Sequence, residues 1–155
     1  MFYETNNFYV EAYKTPFISR EDGGHIIIRM KNAVSDRTKL QPNVAKELMR
    51  LTMLVGEAME IAMNKRGIPV VKINYADFGN WAFKKPGVPE PKLHVHLFGR
   101  AKNAVKQVFP EAPYLPARES GFYDGFEPLN DEDVKEILLQ ISLLEKMNKY
   151  DLANW

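Results

Sequence analysis

Two histidines, His94 and His96, lie two positions apart in the apolar stretch Leu93–Phe98. Because side chains alternate along a strand, both imidazoles would point to one face of a sheet, and the intervening apolar residues to the other. An imidazole can act as a nucleophile, a general acid or base, or a metal ligand, and a buried one needs a hydrogen-bond partner. The pair, together with the only other histidine, His25, therefore predicts a site of chemistry.

The residues alone leave three interpretations of this pair open. One histidine could be a nucleophile or general acid–base that the other helps to hold. All three histidines could bind a metal ion and leave an open position for water. The pair could also be two satisfied polar side chains at a sheet edge.

The segments around the pair are basic in a chain whose formal net charge is only +1. Between positions 82 and 108 the sole acidic residue is Glu90. The basic residues of the same stretch are Lys84, Lys85, Lys92, Arg100, Lys102 and Lys106. This concentration predicts an anion site, most naturally for phosphate, and would repel a divalent cation.

The pattern of the chain predicts an α+β domain in which a mainly antiparallel sheet packs against one long helix. β-branched and alternating segments favour strands at 8–13, 25–30, 68–74 and 93–98. Apolar residues at spacings of three and four favour a helix over 42–65, and an N-cap at Asn130 begins a second helix. The stretches 75–92 and 101–128 are proline-rich and are predicted to be loops.

Composition narrows the class of protein further. The 155 residues are 45% apolar and 26% charged, which is typical of one globular domain and excludes a polycation that binds nucleic acid by bulk charge. Cysteine is absent, which excludes a disulfide scaffold, a cysteine zinc site and a thiol nucleophile. No apolar run reaches membrane-spanning length and no signal peptide is evident, so we expect a cytoplasmic protein.

The segment from His94 to Phe98, followed by Gly99-Arg100, resembles the signature His-φ-His-φ-His-φφ of histidine triad (HIT) proteins, in which φ is apolar. Other family elements are matched in the same order by Gly24–Ile28, by the helix 42–65, by Val70–Asn74 and by Gly79–Trp81. The resemblance implies a HIT-like domain over 1–100. A C-terminal extension over 101–155 would pack on the same domain.

What the resemblance implies is hydrolysis of a nucleotide, a dinucleoside polyphosphate or a nucleotidyl conjugate. His96 takes the middle position, whose histidine attacks phosphorus to form a nucleotidyl intermediate. A main-chain carbonyl holds that histidine's other nitrogen. His94 would then fix the geometry and His25 would support the triad. Asn74 and Asn80 match polar residues on the phosphate side of the family site.

In this alignment Phe98 occupies the third-histidine position, whose side chain normally donates to the phosphate. Loss of such a donor typically costs about 2.7–4 kcal/mol of transition-state stabilisation. We expect a lysine of the insertion 82–91, Lys84 or Lys85, to replace it, with Arg100 as a further phosphate ligand. Without a replacement the protein would be a nucleotide-binding module that has lost turnover, and a three-histidine metal hydrolase is the other alternative.

The resemblance also implies a homodimer built through the long helix and a neighbouring strand. We expect no resident cofactor, apart from a divalent cation that a nucleotide substrate could carry. We expect no membrane partner and no specific nucleic-acid partner.

Overall fold

A computed structural model describes residues 1–84, 87 and 90–155. Five antiparallel strands form one sheet in the order β1-β2-β3-β5-β4. The strands are β1 (Tyr3–Glu4), β2 (Phe8–Ala12), β3 (His25–Met30), β4 (Val70–Ala76) and β5 (His94–Ala101). The α+β class and the antiparallel sheet predicted from the sequence are confirmed.

One face of this sheet is covered by helix α1 (Pro42–Lys65), and helix α2 (Asp131–Leu144) packs against α1. Every second side chain of the central strands points toward α1. The core between sheet and helix contains Ile26, Ile28, Val95, Leu97, Leu51, Leu54, Val55 and Met59. The opposite face of β3 and β5 carries the histidines.

The register of β3 and β5 brings the three histidines onto neighbouring strands. His25 lies opposite Phe98, and Arg29 lies opposite His94. Directly opposed residues of an antiparallel pair share a face of the sheet. The pairing therefore places His25, Arg29, His94 and His96 on the face that α1 leaves free.

The segment after β5 is joined to the sheet domain by buried polar contacts. Asp133, on the first turn of α2, is fully buried and accepts two hydrogen bonds from Arg20, at 2.6 and 2.9 Å. It also accepts one from Arg66 at 3.2 Å, and it forms a capping box with Asn130. These contacts fix the start of α2 against both the loop before β3 and the end of α1.

The sequence pattern does not predict β1, and some strands end at other residues than the pattern indicates. Two residues are too few to show an alternating pattern, and β1 exists because Tyr3 and Glu4 pair with Val10 and Tyr9 of β2. Strand β5 continues beyond Phe98 to Ala101, since β4 pairs with it over that length. Within the described part of the chain, no helix is long and apolar enough to cross a membrane.

Candidate functional site

A cavity of about 470 Å³ opens on the free face of the sheet, within the usual size range of small-molecule sites. His94 and His96 form its floor on β5. Aromatic side chains contribute most of its walls, namely Tyr13, Phe17, Phe78 and Trp81. Arg29 and Lys92 add positive charge, and none of the described lining residues is acidic.

His96 is joined to His25 by a buried hydrogen bond. His25 Nε2 lies 2.8 Å from His96 Nδ1, and the other ring nitrogen of His25, Nδ1, accepts the backbone N–H of Phe17 at 3.1 Å. A backbone N–H can only donate, so His25 Nδ1 carries no proton. The proton of a neutral His25 is therefore on Nε2, and it is donated to His96 Nδ1.

His94 has a different partner. Its Nδ1 lies 2.7 Å from the main-chain carbonyl oxygen of Lys92, two residues earlier in the chain. A carbonyl oxygen can only accept, so His94 Nδ1 carries the proton. In the neutral imidazole this leaves an unprotonated Nε2.

Burial keeps the other two histidines neutral. The pKa of His96 is lowered to about 3, first by desolvation and then by the charge of His94 and of nearby arginines. The pKa of His25 is lowered well below its usual value, again mainly by burial and then by His96. Because neither ring is a cation at neutral pH, each carries a single N–H proton, and the hydrogen bonds determine which nitrogen holds it.

The two cavity histidines thus have complementary roles. His94 offers a lone pair on Nε2, whereas His96, whose Nδ1 accepts from His25, carries a proton on Nε2. Their ring centroids are 4.7 Å apart. This arrangement disagrees with the sequence expectation that His96 is the nucleophile, because the nitrogen held by a main-chain carbonyl belongs to His94.

The disagreement comes from the alignment of the signature, which fits better when shifted by two residues. Read from Lys92, the segment Lys92–Phe98 matches His-φ-His-φ-His-φφ at every apolar position, including the final pair Leu97-Phe98. The alignment that begins at His94 instead puts Gly99 and Arg100 at that final pair, and neither is a typical apolar residue. The shifted alignment puts lysine at the first-histidine position and keeps histidines at the second and third.

In the shifted alignment, Phe98 falls on an apolar position of the signature and not on that of the third histidine. It is 1% exposed and packs in a small cluster with Phe17 and Ile18, beside His25 and His96. Its role in the structure is to support the two rings from below the cavity.

Arg100 and Asn74 do not line the cavity, contrary to the expectation that they bind phosphate. Arg100 is 2% exposed, and its guanidinium donates to Asn74 Oδ1 and to three carbonyl oxygens between positions 107 and 111. It shares a face of β5 with the histidines, but the segment after β5 covers it. The two residues are therefore structural partners of that segment.

The remaining predicted ligands lie on the loop beside the cavity. Asn80 lines the cavity, as a phosphate-side residue would. Lys84 is not among the lining residues, and its Nζ lies 4.4 Å from the centroid of the Trp81 ring. Lys85 lies outside the described residues. His96 presents an Nε2–H to the cavity, so the site already contains a hydrogen-bond donor beside His94.

Sequence reasoning missed the aromatic wall and the cations that belong to it. Phe17 stands between Trp81 and Arg118, whose guanidinium carbon is 3.9 Å from the Phe17 ring centroid. Arg29 on β3 is paired with Glu11 at 2.7 Å and also lines the cavity. The alternation of β3 could have assigned Arg29 to the histidine face, because it lies four residues from His25. No local pattern connects the loop residues to the site.

The three histidines are not arranged as a metal centre. No group of three or more histidine, aspartate or glutamate side chains is placed to hold a metal ion within residues 1–84, 87 and 90–155. His25 uses both ring nitrogens in hydrogen bonds to Phe17 and His96. The geometry therefore gives no support to a three-histidine metal hydrolase.

The sheet order, the long helix and the histidines on β3 and β5 are those of a HIT-like fold. The chain has this fold over nearly its whole length. The structure is similar to that of a hypothetical histidine triad nucleotide-binding protein from Sulfolobus tokodaii strain 7. The match covers 97% of this chain and 87% of that protein's chain, with a TM-score of 0.60 and 18% identity.

Two further solved structures agree. A HIT-like protein involved in cell-cycle regulation from Bartonella henselae matches 90% of this chain and 84% of its own, with a TM-score of 0.57 and 14% identity. The match to a Zn-bound histidine triad family protein from Mycobacterium smegmatis covers 93% of this chain and 84% of that protein's chain, with a TM-score of 0.56 and 17% identity. Neither protein-family profiles nor curated protein sequences give a match.

Proposed function

We propose that the protein is a nucleotide phosphohydrolase that uses His94 as its nucleophile and His96 as a hydrogen-bond donor to the phosphate. The observation that carries this proposal is the pair of different hydrogen-bond partners, a carbonyl oxygen for His94 and His25 for His96, from which the complementary tautomers follow. A nucleophile needs a lone pair, and an anionic transition state needs a fixed donor beside it. His94 and His96, two positions apart on one face of β5, supply both.

In the proposed reaction, His94 Nε2 attacks the α-phosphorus of the bound nucleotide. A P–N bond forms, and the bond to the leaving oxygen breaks with its electron pair. The Nε2–H of His96 donates to a phosphate oxygen and stabilises the charge that develops there. Water then attacks the phosphorus of the nucleotidyl-histidine and releases the nucleoside monophosphate, which returns the lone pair to His94.

The cavity walls favour an anionic substrate that carries a flat group. Lys92 and Arg29 line the cavity beside the histidines. Arg29 is paired with Glu11 outside the lining, so Lys92 supplies the less compensated positive charge. Phe78 and Trp81 line the cavity and are 51% and 40% exposed, so their rings are accessible to a flat ligand group. Stacking of a base on an aromatic ring is worth about 1–3 kcal/mol. These features suit a nucleotide or a dinucleoside polyphosphate.

The experiment is a rapid-quench mass spectrum after mixing the protein with diadenosine tetraphosphate. We expect an adenylyl adduct that maps to His94, and its loss in His94→Ala. In His96→Ala the adduct should still map to His94 but form much more slowly. Binding of the nucleotide without adduct or turnover in the wild type would favour the binding module instead. An adduct on His96 would contradict the assignment of roles.

We also propose that the protein is a homodimer through α1 and β4. Strand β4 is at the edge of the sheet, and its side chains Val71 and Tyr75 are exposed, as is Met49 of α1. An edge strand beside exposed apolar side chains is a surface that proteins usually cover. Light scattering of the purified protein would give a mass twice 17.9 kDa if the proposal holds, and 17.9 kDa if it does not.

A further inference from the structure

A buried glutamine fastens the segment after β5 to the loop that carries Phe17. Gln107 is 2% exposed, and its Nε2 donates to the carbonyl oxygens of Phe17 and Tyr114, each at 2.9 Å. Its Oε1 accepts the backbone N–H of Tyr114 at 2.9 Å. One side chain thus joins two loops that no regular element connects.

The backbone of Gln107 is held as firmly as its side chain. The carboxylate of Asp22 accepts the backbone N–H groups of Val105, Lys106 and Gln107, at distances between 2.7 and 3.1 Å. Arg100 donates to the carbonyl oxygen of Gln107 at 3.2 Å. Because the glutamine is fixed at its backbone, its amide can hold Phe17 in one place.

The held residue is the one that determines the histidine tautomers. The backbone N–H of Phe17 donates to His25 Nδ1, which places the proton of His25 on Nε2 and makes His96 Nδ1 an acceptor. We infer that Gln107 is a positioning residue, which fixes the Phe17 backbone so that His96 presents an Nε2–H to the cavity. Gln107 itself is not among the lining residues of that cavity.

This inference rests on the proposed function for its consequence, but its test needs no substrate. The chain has only three histidines, so the ¹⁵N spectrum of the imidazoles can be assigned with single variants. We would compare the wild type with Gln107→Met, which removes all three side-chain hydrogen bonds, and with Gln107→Glu, which keeps the acceptor for Tyr114 but loses the donor to Phe17. Gln140→Met is the matched control, since Gln140 is buried and its side chain, among the described residues, bonds only to Glu136 of the same helix.

We expect His25 and His96 to be Nε2–H tautomers in the wild type and in the control. In both Gln107 variants the tautomer ratio of His25 should shift by about fivefold or more toward Nδ1–H, which is the effect of losing one net hydrogen bond. His94 should keep its proton on Nδ1, because its partner is the Lys92 carbonyl. Adduct formation should slow in proportion to the tautomer that His96 loses.

Unchanged His25 and His96 tautomers in Gln107→Glu would overturn the role of Gln107. If Gln107→Met fails to fold, the nearly isosteric Gln107→Glu decides the question by the same criterion. A wild-type spectrum with His96 protonated on Nδ1 would instead contradict the proposed function, whatever Gln107 does. A shift of equal size in Gln140→Met would show a general loosening of the fold and would also overturn the inference.

Discussion

Replacement of His96 should separate its two roles, as an acceptor for His25 and as a donor to the phosphate. In His96→Leu the cavity loses its Nε2–H, and we expect kcat to fall about 10²–10³-fold, which corresponds to about 2.7–4 kcal/mol. The same change leaves the buried Nε2–H of His25 without its partner, which costs about 1–3 kcal/mol of folding free energy. For a chain of this length each kcal/mol lowers Tm by about 2–4 °C.

His96→Gln is the matched variant, because glutamine carries an acceptor oxygen for His25 and an NH₂ donor for the cavity. The Tm of His96→Gln should be higher than that of His96→Leu and closer to the wild-type value. Its turnover should lie between those of the wild type and His96→Leu. Steady-state release of the monophosphate and thermal unfolding of all three proteins provide the measurements. Turnover at the wild-type rate in His96→Leu would refute the role of His96 as a donor to the phosphate. An unchanged Tm would refute a stabilising role for its hydrogen bond with His25.

Three further predictions follow from the described contacts. Because the folded-state pKa values of His25 and His96 are depressed, with that of His96 at about 3, their contribution to stability is fully present above about pH 6.5. This contribution is lost as the pH falls toward 3, at up to about 1.4 kcal/mol per pH unit for each histidine. The unfolding free energy of His96→Leu should therefore fall less steeply with decreasing pH in that window than that of the wild type. Lys92→Ala should raise KM about tenfold with kcat nearly unchanged, because it removes a cation from the cavity. Lys102→Ala, outside the cavity lining, should change neither constant. An equal effect of both variants would contradict a specific role for Lys92 in substrate binding. Asp133→Leu leaves two arginines without their buried carboxylate and should cost about 3 kcal/mol in urea unfolding, and a loss below 1 kcal/mol would contradict the anchoring role.

The sequence predicted the sheet, the long helix and the two histidines on one face of β5, because periodicity records which face of an element is buried. It could not assign roles to the histidines. Those roles depend on which atom faces each ring nitrogen, and the partners are the Lys92 carbonyl, the Phe17 amide and His25. The partners of Arg100 were equally hidden, since the carbonyl oxygens at 107–111 carry no side-chain signal.

The lysine at the first position of the signature is compatible with a working site. His94 is oriented by the main-chain carbonyl of residue 92, and a carbonyl is present whatever the side chain. A side chain other than histidine at position 92 leaves this contact of His94 in place, whereas replacing His96 would remove both an acceptor and a donor. Lys92 lines the cavity and adds a cation beside His94, which suits the anionic substrate proposed above. The position that departs from the signature is therefore the one whose backbone, not its side chain, orients His94, the nucleophile we propose.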